Sequence, residues 1–107
     1  MKLNPKCFGI VCFVALFAAP GFAQSNGADI FKSKCAPCHG VDGTAATPAG
    51  KALKAASFKD PAIVKAQDAD LIAIVKSGKN KMPSFTGKLS DDQIKAAVIY
   101  IRTLQKQ

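Results

Sequence analysis

Residues 34–40 read KCAPCHG, and no other stretch of this 107-residue chain restricts its fold so strongly. Two cysteines separated by two residues, with a histidine directly after the second, allow four readings: a redox-active dithiol, part of a zinc site, a local disulfide, or a covalent attachment point for haem. Each demands a different scaffold. A dithiol needs a strand running into a helix, zinc needs four protein ligands, and haem needs a shell of protein around a flat apolar ring. The chain has one histidine, His39, and four cysteines, Cys7, Cys12, Cys35 and Cys38, from which to supply any of these.

Two of those cysteines belong to a different kind of segment. The opening MKLNPKCFGIVCFVALFAAPGFAQ starts with Lys2 and Lys6, continues as an apolar run over residues 7–19, and reaches the small-residue pattern Gly21-Phe22-Ala23. This is the pattern of a secretory signal peptide cleaved after Ala23. The run is too short for the ~20 apolar residues that cross a bilayer. Residues 1–23 are therefore expected to be removed, and residues 24–107 to form a single domain that retains Cys35, Cys38, His39 and Met82 and stays basic. A domain so small gains only a few kcal/mol from its apolar core, so a disulfide, metal or cofactor is expected to staple it.

The patterning of residues 24–107 is helical. Ser25, Asn26 and Asp29 offer caps for a short helix from about Ala28 into the CxxC. Residues 40–60, with Gly43, Thr44, Thr47, Pro48 and Gly50 among alanines, have no sustained period and read as a long loop. A loop of that length in a compact domain implies that something other than protein fills the space beneath it. Pro61 can start a short helical turn. Asp68 is expected to cap a further helix with Leu71, Ile72 and Val75 inward and Gly78 at its end. Pro83 breaks any helix through residues 79–87, leaving a basic loop that carries Met82. Ser90-Asp91-Asp92-Gln93 is a capping-box pattern, followed by Ile94, Ala97, Val98, Ile101 and Leu104 at helical spacing. The expected fold is all-α, with no strand of useful length.

The missing strands remove the scaffold a thioredoxin-type dithiol requires. Zinc needs a fourth ligand beyond two cysteines and one histidine, and Asp42 is the nearest carboxylate. A disulfide between Cys35 and Cys38 leaves His39 and Met82 without a role. Haem attachment accounts for all of them: thioethers from Cys35 and Cys38 fix the ring, the adjacent His39 reaches the iron, and Met82 supplies a soft sulfur ligand from the other side. Export agrees, because haem of this type is attached on the outer side of the bacterial membrane.

CAPCH, the KMPSF segment around Met82 and the terminal DDQIKAAVIYIRTLQ together resemble the class I monohaem c-type cytochromes, in particular their short bacterial members, across essentially all of residues 24–107. The resemblance implies three to five short helices wrapped around one covalently bound haem c. It implies that the first and last helices cross near a glycine and an aromatic pair, matched by Gly27, Phe31 and Tyr100, with Ala97 smaller than the large aliphatic often found there. It also implies a loop proline carbonyl that accepts the proton of the histidine's other nitrogen, for which Pro48 is the candidate.

With both axial positions taken by protein, the expected role is an electron carrier and not an enzyme. Lys76, Lys79, Lys81 and Lys88 bracket the Met82 loop, and Lys51, Lys54 and Lys59 lie on the other long segment, so redox partner proteins with acidic docking surfaces are expected. Sparse aromatics and the lack of a reading motif speak against nucleic acid. The chain is expected to be a periplasmic monomer with no stable membrane insertion. The alternatives are a haem subunit of a larger oxidoreductase and a CxxC thiol oxidoreductase.

Overall fold

The computed structural model describes residues 26–107; the signal peptide expected over residues 1–23, with Cys7 and Cys12, lies outside the described residues. Helix α1 covers residues 27–39 in three pieces: an α-helical turn Gly27–Ile30, a π-helical turn Phe31–Cys35, and an α-helical turn Ala36–His39. Asn26 caps it, its side chain accepting the Ala28 N–H at 3.1 Å. The widened middle follows from Pro37, which has no N–H to give and whose ring crowds the carbonyl four residues back. The Ala36 N–H reaches instead to the Phe31 carbonyl, five residues back. Phe31 thereby faces the core, Lys32, Ser33 and Lys34 face solvent, and Cys35 turns inward and is partly buried. Gly40, at φ +80°, ends the helix.

Residues 40–60, expected as a loop, contain a helix α2, Pro48–Leu53. Thr47 caps it and Pro48 takes its first position, the placement proline favours. Its short length leaves no room for an apolar period, which is why periodicity missed it. Helix α3 is Pro61–Lys65, with Asp60 accepting the Ala62 N–H at 2.9 Å. Helix α4 is Asp68–Ser77; Gln67 is its cap residue and Asp68 its first helical position, so the helix begins one residue earlier than the sequence suggested. Leu71 and Val75 point inward and Gly78, at φ +74°, closes it. Helix α5 is Asp91–Gln105, and its capping box forms as read: Ser90 Oγ accepts the Gln93 N–H at 3.1 Å and Gln93 Oε1 accepts the Ser90 N–H at 2.8 Å. The described residues hold no strand beyond two isolated bridges.

Helices α1 and α5 cross at Gly27. A Cβ there would lie 2.2 Å from the Ala96 carbonyl oxygen and 3.3 Å from Tyr100 Cβ, so only glycine lets the two backbones approach this closely. Phe31, fully buried, packs beside Tyr100 with ring centroids 5.3 Å apart. Ala97 is itself buried, and its small side chain is compatible with a tight crossing.

The buried side chains divide into two groups. Phe31, Ala36, Phe58, Ile101 and Leu104 form one, under the α1/α5 crossing. Leu71, Val75, Phe85, Ile94 and Val98 form the other, where α4 meets α5. Arg102 ties α3 to α5: its guanidinium donates to the Ile63 and Val64 carbonyls at 3.2 and 3.3 Å, to the Ala66 carbonyl, and to Asp68 at 2.8 Å. The last carbonyls of α3 are thus satisfied by a side chain from the other end of the chain.

Candidate functional site

A cavity of about 370 Å³ has walls drawn from both buried groups, Phe58 and Ile101 from one and Leu71, Val75, Phe85 and Val98 from the other. Cys35, Cys38, His39 and Met82 all line it. An apolar object filling this space would join the two groups into one core. The small domain thus has the gap that a long irregular segment and a thin apolar complement implied.

No disulfide joins Cys35 to Cys38. Burial pushes the Cys35 thiol up to about 11, the opposite of what an attacking redox cysteine requires. With no strand feeding the motif, the dithiol reading has neither the scaffold nor the acidity. The zinc reading fails on ligands: among the described residues no three His, Cys, Asp or Glu side chains converge. Asp42 is instead occupied locally, its Oδ1 accepting the Thr44 N–H at 3.0 Å and the Thr44 hydroxyl at 2.8 Å. Those two bonds hold its carboxyl below the usual carboxylate range.

The Nδ1 atom of His39 lies 2.9 Å from the Ala56 carbonyl oxygen. A carbonyl only accepts, so Nδ1 carries the proton and the lone pair of the neutral ring sits on Nε2. Burial lowers the His39 pKa below its ordinary value and so favours the neutral ring at pH 7, an effect that the Ala56 bond opposes in part. The ring also stacks on Phe58, with centroids 4.5 Å apart and planes 20° from parallel. Ala56 therefore fills the role expected of Pro48. Pro48 is spent on starting α2, and the chain brings the carbonyl past His39 only after that helix has ended.

The CxxCH turn is clamped from below by α2. Thr47 Oγ1 donates to the Pro37 and Cys38 carbonyls at 2.8 and 3.1 Å and accepts the Gly50 N–H at 2.9 Å. A Cβ on Gly50 would stand 2.2 Å from the Cys38 carbonyl oxygen, so glycine is required for the two backbones to touch. Thr47 and Gly50 were readable only as a loop composition. Their Thr-Pro-x-Gly order is a cap and helix start, and that was the available signal.

Met82, partly buried, is held in a two-residue reversal. The Lys79 N–H donates to the Met82 carbonyl at 3.1 Å and the Met82 N–H to the Lys79 carbonyl at 2.9 Å, with Asn80 at φ +53° between them. The loop is then pinned to the end of α4: the Phe85 N–H donates to the Val75 carbonyl at 3.0 Å, and Thr86 Oγ1 and Ser84 Oγ donate to the Lys76 carbonyl. These bonds satisfy carbonyls that α4 would otherwise leave open. Lys34, Lys54, Lys79 and Lys81 also line the cavity, converging from three separate segments.

Similarity to known proteins agrees with this architecture. The family described as "Cytochrome C oxidase, cbb3-type, subunit III" matches residues 22–101. Cytochrome c6 of Nostoc sp. is 38% identical over 87% of this chain and 83% of its own length. Cytochrome c6 of Thermostichus vulcanus is 38% identical over 86% of this chain and 80% of its own length. The solved structure of the KustC0563 c-type cytochrome superposes with a TM-score of 0.68 at 32% identity, covering 74% of this chain and 96% of that one. The all-α fold, the cavity and these relatives agree, and the chain belongs to the cytochrome c family as a small class I monohaem c-type cytochrome, an electron carrier with one covalently bound haem c.

Proposed function

We propose that Cys35 and Cys38 hold the haem through thioether bonds, that His39 and Met82 are its axial iron ligands, and that the carrier works as a free periplasmic protein of residues 24–107 after removal of residues 1–23. One observation carries the assignment of ligands: two thiols, an imidazole with its lone pair on Nε2 and a thioether, from two distant stretches of chain, line a single apolar cavity. That donor set fits haem c. Cys35 and Cys38 would hold it through their sulfurs, and His39 and Met82 would supply nitrogen and sulfur to its iron.

When bound, the haem supplies a one-electron Fe(III)/Fe(II) couple. The protein's own residues do the rest. Ala56 fixes the His39 tautomer, the Lys79–Met82 reversal holds the sulfur, and the apolar walls exclude water. With His39 and Met82 both holding the iron, no open position would remain on it for a substrate, which suits an electron carrier and not an enzyme. Lys34, Lys54, Lys79 and Lys81 present positive charge around the opening, suited to an acidic redox partner met in brief encounters. No helix of the described residues is long and apolar enough to cross a membrane.

The test is spectroscopic. Protein matured in the periplasm should keep its haem through denaturation, with both thiols blocked to alkylation. Met82→Ala should abolish the weak far-red band of ferric iron–thioether bonding and lower the reduction potential. An unchanged band removes Met82 from the assignment, and colourless protein with two reactive thiols removes the haem contacts altogether.

A second reading has a specific observation in its favour, since the matching family is named for an oxidase subunit. A haem subunit of a larger oxidoreductase would co-purify with its complex after a high-salt wash. A free shuttle would be released.

A further inference from the structure

We propose that Phe58 is a positioning residue that sets the plane of the His39 ring, and through it the electronic anisotropy of the iron that His39 would bind. The proposal rests on the axial role of His39 given above. A hydrogen bond from Nδ1 to Ala56 fixes one atom of the imidazole, but leaves the ring free to pivot about that point. A flat face held against it removes the pivot. Phe58 provides that face, with centroids 4.5 Å apart and planes 20° from parallel. Aromatic neighbours in a core are commonly tilted, as Phe31 is against Phe58 at 57° and against Tyr100 at 50°. The near-parallel pair is the exception among these.

Phe58 is well placed to impose an orientation because its own freedom is gone. Its N–H donates to the Gly43 carbonyl at 2.8 Å and its carbonyl accepts Gln105 Nε2 at 3.1 Å, so both backbone groups are tied down on opposite sides. Its ring lies over the bare backbone of Gly43, where a Cβ would come within 2.8 Å of Phe58 Cδ2. Phe31 and Leu104 share its buried group, and Phe58 is only 8% exposed. The orientation of His39 is thereby tied to α1, the Gly43 turn and α5 together. Partners of this kind fix the angle of a metal-binding imidazole as well as its tautomer.

The experiment compares ferric protein as wild type, Phe58→Leu, Phe58→Met, Phe58→Tyr and Ile94→Ala. The readouts are the EPR g values and the paramagnetically shifted haem-methyl proton resonances, both of which follow the direction of the imidazole plane. Ile94 is fully buried in the other group and does not line the cavity, so its truncation reports a loosened core without a loosened His39. Phe58→Leu and Phe58→Met, which keep apolar bulk but lose the flat face, should displace the g values and the methyl pattern. Phe58→Tyr should keep the wild-type pattern, and so should Ile94→Ala despite its lower stability. Unshifted spectra in both ringless variants overturn the proposal, as does an equal shift in Ile94→Ala. Failure of the ligand assignment looks different: the wild-type iron itself would then show no imidazole ligation.

Discussion

Replacing Gly27 by alanine sets two opposed effects against each other. Alanine is the better helix former, by up to about 1 kcal/mol in a helix interior, and Gly27 opens α1 without a positive φ, so local propensity alone favours the change. The tertiary structure says the reverse. The added methyl would sit 2.2 Å from the Ala96 carbonyl oxygen and 2.7 Å from the carbonyl carbon, both backbone atoms of α5 that no rotamer change can move. Relief requires the helices to part by more than an ångström, which loosens Phe31 against Tyr100 at the centre of the crossing. Overpacking of this kind costs about 1–3 kcal/mol, more than the propensity gain returns. For a domain of this size about 2 kcal/mol lowers the melting temperature by roughly 10 °C. Thermal and denaturant unfolding of the haem-loaded protein measures it, with Ala28→Gly as a control for propensity at the same helix end. A Gly27→Ala protein as stable as wild type would mean that the α1/α5 crossing is looser than its geometry here.

Thr47→Val keeps the shape of the side chain but removes the hydroxyl that joins the Pro37 and Cys38 carbonyls to the Gly50 N–H, and should cost about 1–2 kcal/mol by denaturant titration, with a lower yield of haem-loaded protein. Arg102→Met retains apolar bulk while leaving the α3 carbonyls and Asp68 without their donor; the loss should be about 1.5–3 kcal/mol and only weakly dependent on salt, because the bonds to the Ile63 and Ala66 carbonyls are partly buried and salt screens chiefly the exposed Asp68 pair. Lys79→Glu combined with Lys81→Glu should slow oxidation of the reduced protein by an anionic oxidant such as ferricyanide by about tenfold at low ionic strength and speed it with a cationic complex, both effects fading as salt rises; stopped-flow rates that ignore the sign of the oxidant would place the electron-transfer edge away from these lysines.

Much of the candidate site was legible because its chemistry is local in sequence. Cys35, Cys38 and His39 are adjacent, and a five-residue pattern carries their joint meaning wherever the chain goes. Met82 stood out as a thioether in a proline-stiffened loop, and the capping box at Ser90 and Gln93 needs only four consecutive residues to form. Pro48 was misassigned for an equally physical reason. Every residue offers the same carbonyl acceptor, so identity says nothing about which one meets His39 Nδ1; the path of the backbone after α2 decides it, and it selects Ala56. Helix α2 itself is too brief to show a period, and its stability comes from resting on the CxxCH turn through Thr47 and Gly50.

The amino-acid sequence by itself determined the helical class and the covalent attachment motif, and it singled out the four residues proposed to hold the haem, since the Cys35–His39 motif and the Pro83-stiffened loop of Met82 are each read from their immediate neighbours. Only the tertiary structure decided how the space between them is built: the bare-backbone contacts at Gly27 and Gly50, the Arg102 tie between α3 and α5, and the stack of Phe58 on His39. Those features join segments far apart along the chain, and which distant groups come within van der Waals or hydrogen-bonding reach is set by the packing of the whole domain around its cavity.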